Sequence, residues 1–189
     1  MMKIIETDRL ILRTWKGEDA KPYFDINQDS KVIEFLPKAL TMQQVKDFIS
    51  AMNDQYIKNN YTLFAAELKK TGELIGFIGL NYIDWKAPFT PGTEIGWRLG
   101  ALYWGKGYAT EGAKAVLNYG FNKCRLKEII SFTVPMNKRS IRVMEKIGMQ
   151  HDRAGDFAHP KLSPDHKLSK HVLYIIKNNL VTNELHNKS

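Results

Sequence analysis

The chain has a single cysteine, Cys124, among 189 residues, so an internal disulfide is excluded and a reducing compartment is expected. Lying where an amphipathic segment ends, Cys124 reads as a small packed hydrophobe, not as a covalent acyl carrier. No apolar run approaches the ~20 residues that a membrane-spanning helix requires. Met1-Met-Lys-Ile-Ile-Glu6 is too short and too charged for a secretory signal, and a cytoplasmic protein is expected. Zinc-type spacing is also missing: His159, His166 and His171 fit no ligand pattern and no cysteine joins them, so no metal is expected. Internal repeats, low-complexity tracts and a second-domain linker are absent as well, which leaves one α/β domain over residues 1–177 and a polar tail over 178–189.

What the chain does have is positive charge. It carries 28 Lys and Arg against 20 Asp and Glu, a net charge of +8. Much of the excess falls at Lys106, Lys114, Lys123, Arg125, Lys127, Lys138, Arg139, Arg142 and Lys146. An excess of this size suits either nucleic acid or a polyanionic small molecule. No recognition helix or aromatic platform accompanies it, which disfavours direct nucleic-acid binding.

The charge surrounds a glycine-rich turn. Glu94-Ile-Gly-Trp-Arg-Leu99 reads as a strand, Trp104-Gly-Lys-Gly-Tyr-Ala-Thr110 as a tight loop, and Ala113, Val116, Leu117, Gly120 and Phe121 as one face of a helix. A helix that starts at such a turn presents unpaired N–H groups and favours phosphate. Two common phosphate loops do not fit. Gly107 is followed by Tyr108-Ala109, not by the Lys-Ser or Lys-Thr of a P-loop, and the third glycine of a dinucleotide loop is missing.

The loop resembles the acyl-CoA loop of the GCN5-related N-acetyltransferases, Gln/Arg-x-x-Gly-x-Gly/Ala. It keeps Gly107 and Ala109 and departs at the first position, where Trp104 stands. Glu6-Thr-Asp-Arg-Leu-Ile-Leu-Arg13, Glu94-Ile-Gly-Trp-Arg-Leu99, Asn137-Lys-Arg-Ser140 and Met144-Glu-Lys-Ile-Gly-Met149 resemble the branch that contains ribosomal-protein N-terminal acetyltransferases. The resemblance implies a single-domain α/β fold with a mixed, mostly antiparallel sheet of six to seven strands flanked by helices. It implies acetyl-CoA as cosubstrate, held by Trp97, Arg98, Leu99, Trp104, Gly105, Lys106, Gly107, Tyr108, Ala109, Thr110, Asn137, Arg139 and Ser140.

The rest of the chain is consistent with that fold. Arg9–Trp15, Tyr61–Leu68, Glu73–Leu80, Glu128–Val134, Met149–Phe157 and Lys170–Ile176 read as further strands. Lys69-Lys-Thr-Gly72 reads as a hairpin turn. Helices are expected near Glu18–Asn27, after the capping-box pattern Thr41-Met-Gln-Gln44, and after the cap Asn137.

Acetyl transfer to an amine needs an uncharged nucleophile, a donor for the carbonyl oxygen and a proton for the departing thiolate. The resemblance places Glu94 as the base, directly or through water, and main-chain groups near Leu99 against the thioester, with Gly96 and Gly100 permitting a bulge. Ser140 stands where the leaving-group acid is sought, because this helix lacks the tyrosine that many such enzymes use there. Both residues have plain structural duties as alternatives: a strand-end carboxylate for Glu94, and a polar first turn after the Asn137 cap for Ser140. Glu111 in the first turn of the central helix suits the helix dipole without chemistry. Trp85, Phe89, Trp97 and Trp104 are either packing or the walls of an acceptor slot.

The expected function is transfer of the acetyl group of acetyl-CoA onto a primary amine, a protein N-terminus (a ribosomal protein among them) or a small molecule. The alternatives are an acyl-CoA-binding module without turnover and a basic RNA- or ribosome-associated protein. The acceptor and a homodimer stay open.

Overall fold

The computed structural model describes residues 1–178. The element order starts β1 (Lys3–Glu6), β2 (Leu10–Arg13), α1 (Ala20–Ile26), α2 (Met42–Asn59), β3 (Leu63–Leu68), β4 (Leu74–Ile83) and β5 (Gly92–Leu99). It continues with α3 (Tyr108–Asn122), β6 (Glu128–Thr133), α4 (Lys138–Lys146), β7 (Gln150–His151), β8 (Phe157–Ala158) and β9 (Lys170–Lys177). The α/β class holds. Among the described residues nine strands replace the expected six to seven, because β1 has no clear sequence pattern and the strand expected over Met149–Phe157 divides into β7 and β8. Sheet neighbours are antiparallel in the registers of β1–β2, β2–β3, β3–β4 and β6–β9, and parallel between β5 and β6, a mixed sheet as expected.

The chain packs as two compact units, residues 1–81 with 95–116, and residues 82–94 with the chain from 117 onward. In the first, β1 to β4 follow one another in antiparallel order, with Leu10 opposite Leu68 and Leu63 opposite Gly79. Trp15, Tyr23, Val45, Ile49, Leu63 and Phe77 form its core, with Phe48 and Met52 of α2 packed against them. Each large apolar side chain buried this way contributes about 1.5–3 kcal/mol. The Trp15 indole N–H donates to the Leu63 carbonyl at 2.7 Å, so the ring is buried without an unpaired donor.

A charge also lies in this interior. The Arg13 guanidinium is 2% exposed and bonds both oxygens of Asp19, at 2.7 and 2.8 Å, and Glu67 at 2.7 Å. The Asp19 carboxylate also accepts the Lys16 amide at 2.7 Å, which fixes the turn into α1. α2 starts on the expected box: Thr41 Oγ1 accepts the Gln44 amide at 3.2 Å, and Gln44 Oε1 accepts the Thr41 amide at 2.9 Å.

In the second unit, Glu94 of β5 pairs with Ile130 of β6, and β6 runs antiparallel to β9 from Glu128–Lys177 to Thr133–Val172. β7 and β8 pair with β9 at Gln150–Ile175 and Phe157–His171. They separate because the Asp156 side chain intervenes: its carboxylate accepts the Leu173 amide of β9 at 3.0 Å, in place of a backbone partner. Asn178, expected in the polar tail, is buried and donates its amide to the Lys127 carbonyl. Residues 179–189 of that tail lie outside the described residues.

Removing Asp19 takes two of the three carboxylate bonds from the buried Arg13 guanidinium and leaves Glu67 to balance it alone. Asp19→Ala is expected to cost about 3–5 kcal/mol in urea unfolding, and Thr41→Ala only about 1 kcal/mol. Equal costs would contradict the ranking.

Candidate active site

The sequence-chosen loop in the first unit is a short 3-10 turn, Ala101–Tyr103, followed by a reversal into α3. Gly105 and Gly107 hold φ of 74° and 84°, left-handed values that a side chain would strain. The first backbone bond after the reversal is Glu111 N–H to the Gly107 carbonyl at 3.0 Å. Among the described residues, the amides from Gly105 to Thr110 therefore have no main-chain acceptor. Six consecutive donors at a helix start form an electropositive rim.

Trp104, at the position where the resemblance expects Gln or Arg, donates its indole N–H to the Leu99 carbonyl at 2.8 Å. Indole has one donor, and here it ties the loop back to the end of β5. Tyr103 bonds the Glu73 carboxylate, and burial together with that bond raises its phenol to about 12. The Lys106 ammonium lies 5.9 Å from the Tyr103 ring centre.

Glu111, awkward beside a phosphate site, is neutralised. Its carboxylate accepts Thr7 Oγ1 at 2.6 Å and the Arg9 amide at 2.9 Å, and pairs with the Arg9 guanidinium at 2.6 Å. The sequence reading missed Arg9. It lies 102 residues from Glu111, and no local pattern links the two.

On β5 the side chain of Arg98 turns away from the loop, donating to Asn27 Oδ1 at 2.7 Å and to the Tyr23 hydroxyl at 3.4 Å. Trp97 is half-buried and Leu99 is buried. A Cβ at Gly96 would meet only ordinary contacts, and Gly100 has φ −56°, so neither holds a left-handed backbone. The glycine forced against β5 is Gly76 of β4, with φ 135° and no room for a Cβ, which would fall 2.0 Å from the Arg98 carbonyl oxygen. The β3–β4 register shifts beside it, between Ala66 and Glu67.

In the second unit Glu94 is half-buried at the β5–β6 pairing. Asn137 does cap α4, accepting the Ser140 amide on Oδ1 at 3.2 Å while its Nδ2 donates to Thr133 Oγ1 at 3.1 Å. One N–H of the Asn137 amide group is left over. The Ser140 hydroxyl is half-buried in the first turn of α4, and Arg139 is exposed beside it. A groove of about 430 Å³ on this unit is lined by Lys138, Ile141, Arg142, Glu145, His151 and Tyr174 among others, and by none of the sequence-chosen residues.

Trp85 and Phe89 join Phe132, Phe157, His159 and His171 in an aromatic cluster, with ring centres of neighbours 4.8–6.3 Å apart. His159 and His171 lie 5.2 Å apart. Burial lowers both imidazoles, helped at His159 by His171 and Lys161 and opposed at His171 by the Ser169 carbonyl. Among the described residues, no group of three or more His, Cys, Asp or Glu is placed to hold a metal ion. Burial raises the Cys124 thiol, partly offset by a hydrogen bond with Tyr119, which suits packing better than nucleophilic chemistry.

Because the folded imidazoles titrate below the unfolded value of about 6.5, the neutral pair stabilises fully above that pH. The contribution is lost as pH falls through the lowered folded values. His171→Phe is expected to flatten the loss of melting temperature between about pH 6.5 and 5. An unchanged slope would remove the histidine pair as its source.

The chain matches the family model described as "Acetyltransferase (GNAT) domain" over residues 9–150. It is 34% identical to the uncharacterized N-acetyltransferase YnaD of Bacillus subtilis over 149 residues, 78% of this chain and 83% of that one. A crystal structure of a GNAT-family acetyltransferase from Bacillus anthracis superposes with a TM-score of 0.76 at 29% identity, covering 92% of this chain and 97% of the other. The ribosomal-protein-S5-alanine acetyltransferase of Vibrio fischeri shares the fold, with a TM-score of 0.75 at 19% identity over 95% of this chain and 98% of its own. With a family model that spans residues 9–150, from the start of β2 into β7, the chain belongs to the GNAT acetyltransferase family.

Proposed function

We propose that this chain transfers the acetyl group of acetyl-CoA directly onto a primary amine, without a covalent enzyme intermediate. The observation that carries the reading is the run of amides from Gly105 to Thr110 without a main-chain acceptor among the described residues, set by two left-handed glycines. Such a rim suits the diphosphate of coenzyme A, and the net charge of +8 favours a donor that carries several phosphate charges.

Glu94 is the proposed base, directly or through a water. It takes a proton from the acceptor ammonium, and the freed lone pair attacks the thioester carbonyl carbon. The tetrahedral intermediate then collapses and the C–S bond breaks; the Ser140 hydroxyl gives its proton to the thiolate and is restored by the second proton that the nitrogen loses as the amide forms, directly or through water. Asn137 keeps one amide N–H for the pantetheine arm in addition to its capping duty. The proposed acceptor is an amine on a protein N-terminus or on a small molecule. A terminal α-amine, with an ordinary pKa of about 7.7–8.0, needs the least help to lose its proton. The fold shared with a ribosomal-protein-S5-alanine acetyltransferase makes ribosomal-protein N-termini the first acceptors to test.

Thiol release from acetyl-CoA against a panel of peptides, polyamines and amino sugars tests the reading. Glu94→Gln is expected to lower kcat about 10²-fold or more while acetyl-CoA still binds in calorimetry. Gly107→Val, strained at φ 84°, is expected to weaken that binding. Acetyl-CoA binding without turnover on any amine would favour the module without turnover, and no binding at all would defeat the proposal.

A further inference from the structure

A rim of amides binds an anion well only if it keeps its shape before the anion arrives. The loop does little to hold itself: two of its residues are glycines, and no main-chain acceptor meets its amides among the described residues. Beyond the Trp104 indole bond to Leu99 at its start, its support comes from 97 residues earlier in the chain.

Arg9 follows β1 and immediately precedes β2. Its Nη1 donates to the Lys106 carbonyl at 2.9 Å, the midpoint between the two glycines. Its Nε and Nη2 both reach Glu111 Oε2 at 2.6 Å, and its guanidinium carbon lies 4.5 Å from the centre of the Tyr108 ring. All three guanidinium nitrogens are thus directed at protein groups. We propose that Arg9 is a positioning residue for the donor loop: locked by Glu111, it grips the Lys106 carbonyl and so aims the Gly105–Thr110 amides at the donor's diphosphate. The inference rests on the acetyl-CoA reading above.

Three features separate this role from a simple cation near the site. Three of the five guanidinium N–H groups are taken by its own chain, one from each nitrogen, so the direction of the fork is set by the protein. Glu111 cancels the charge while fixing the geometry. Burial opposes ionisation of that carboxyl, yet the hydrogen bonds from Thr7 and Arg9 outweigh it and hold the group below the usual carboxylate range, so the lock persists at neutral pH. A Cβ at Gly107 would also lie 3.3 Å from Arg9 Nη2, so the turn and the guanidinium are fitted to each other.

The test compares acetyl-CoA with S-acetyl-pantetheine, which lacks the diphosphate, in the full-length protein and in Arg9→Ala, Arg9→Lys and Glu111→Gln. Arg9→Ala is expected to raise the acetyl-CoA KM about tenfold with kcat held within about twofold, and to leave S-acetyl-pantetheine kinetics unchanged. Arg9→Lys keeps the charge, loses the fork, and is expected to behave alike; it also carries the comparison if Arg9→Ala does not fold. Glu111→Gln is expected to weaken acetyl-CoA in the same direction. Equal losses with both donors would mean a general structural defect and overturn the proposal. Glu111→Gln binding acetyl-CoA as tightly as the unaltered protein, or more tightly, would overturn it too, because Arg9 would then act as a charge on the ligand. Calorimetry separates the two readings: acetyl-CoA bound equally by Arg9→Ala and the unaltered protein defeats this inference alone, and no binding by the unaltered protein defeats both.

Discussion

Helix α3 lies so close to the first unit's strands that one of its residues has no room for a side chain. A Cβ at Gly112 would fall 2.4 Å from Ile78 Cδ1 and 3.3 Å from Leu10 Cδ1. This contact fixes how the helix sits on β2 and β4. Because Glu111 is the adjacent residue, it also fixes where that carboxylate meets the chain between β1 and β2. The loop before the helix inherits its position from both. A ligand site made of backbone amides depends on such placement, because main-chain donors cannot change rotamer to correct a misplaced element.

The polar contacts of the first unit follow a single pattern. Arg13 with Asp19 and Glu67, Arg98 with Asn27, and Arg9 with Glu111 each join segments distant in the chain through a planar, multi-donor group. Planar forks constrain direction as well as distance, which single-point lysine contacts do not. The two buried or half-buried arginines hold the architecture around α1, and the third belongs to the loop. Placement of the loop and stability of the unit therefore rest on the same kind of interaction at different depths.

What the sequence disclosed was mostly local. The Thr41–Gln44 box spans three residues, the stripe Ala113, Val116, Leu117 repeats within a few turns, and Asn137 caps a helix that starts one residue later, so each could be read from neighbours. The fold class and the glycine loop belong to the same group. What escaped depends on distant partners. β1 is four residues without a distinctive alternation, and only pairing with β2 makes it a strand. Gly76 looks ordinary until Arg98 is placed against it. Glu111 read as a helix-dipole residue because nothing nearby names Arg9. The division of Met149–Phe157 turns on one aspartate using its side chain where backbone was expected.

That division bears on how the molecule behaves among its own kind. A long outer strand offers a continuous row of amide and carbonyl groups onto which a second chain can zip. Here β9 has β6 on one side, while the strands that pair with it elsewhere are two-residue fragments separated by a 3-10 turn and the Asp156 carboxylate. Fragments of that length supply too few consecutive groups to template a foreign strand, and an ionised side chain interrupts the row. The irregular margin that defeats pattern reading therefore also discourages edge-to-edge aggregation in a crowded solution.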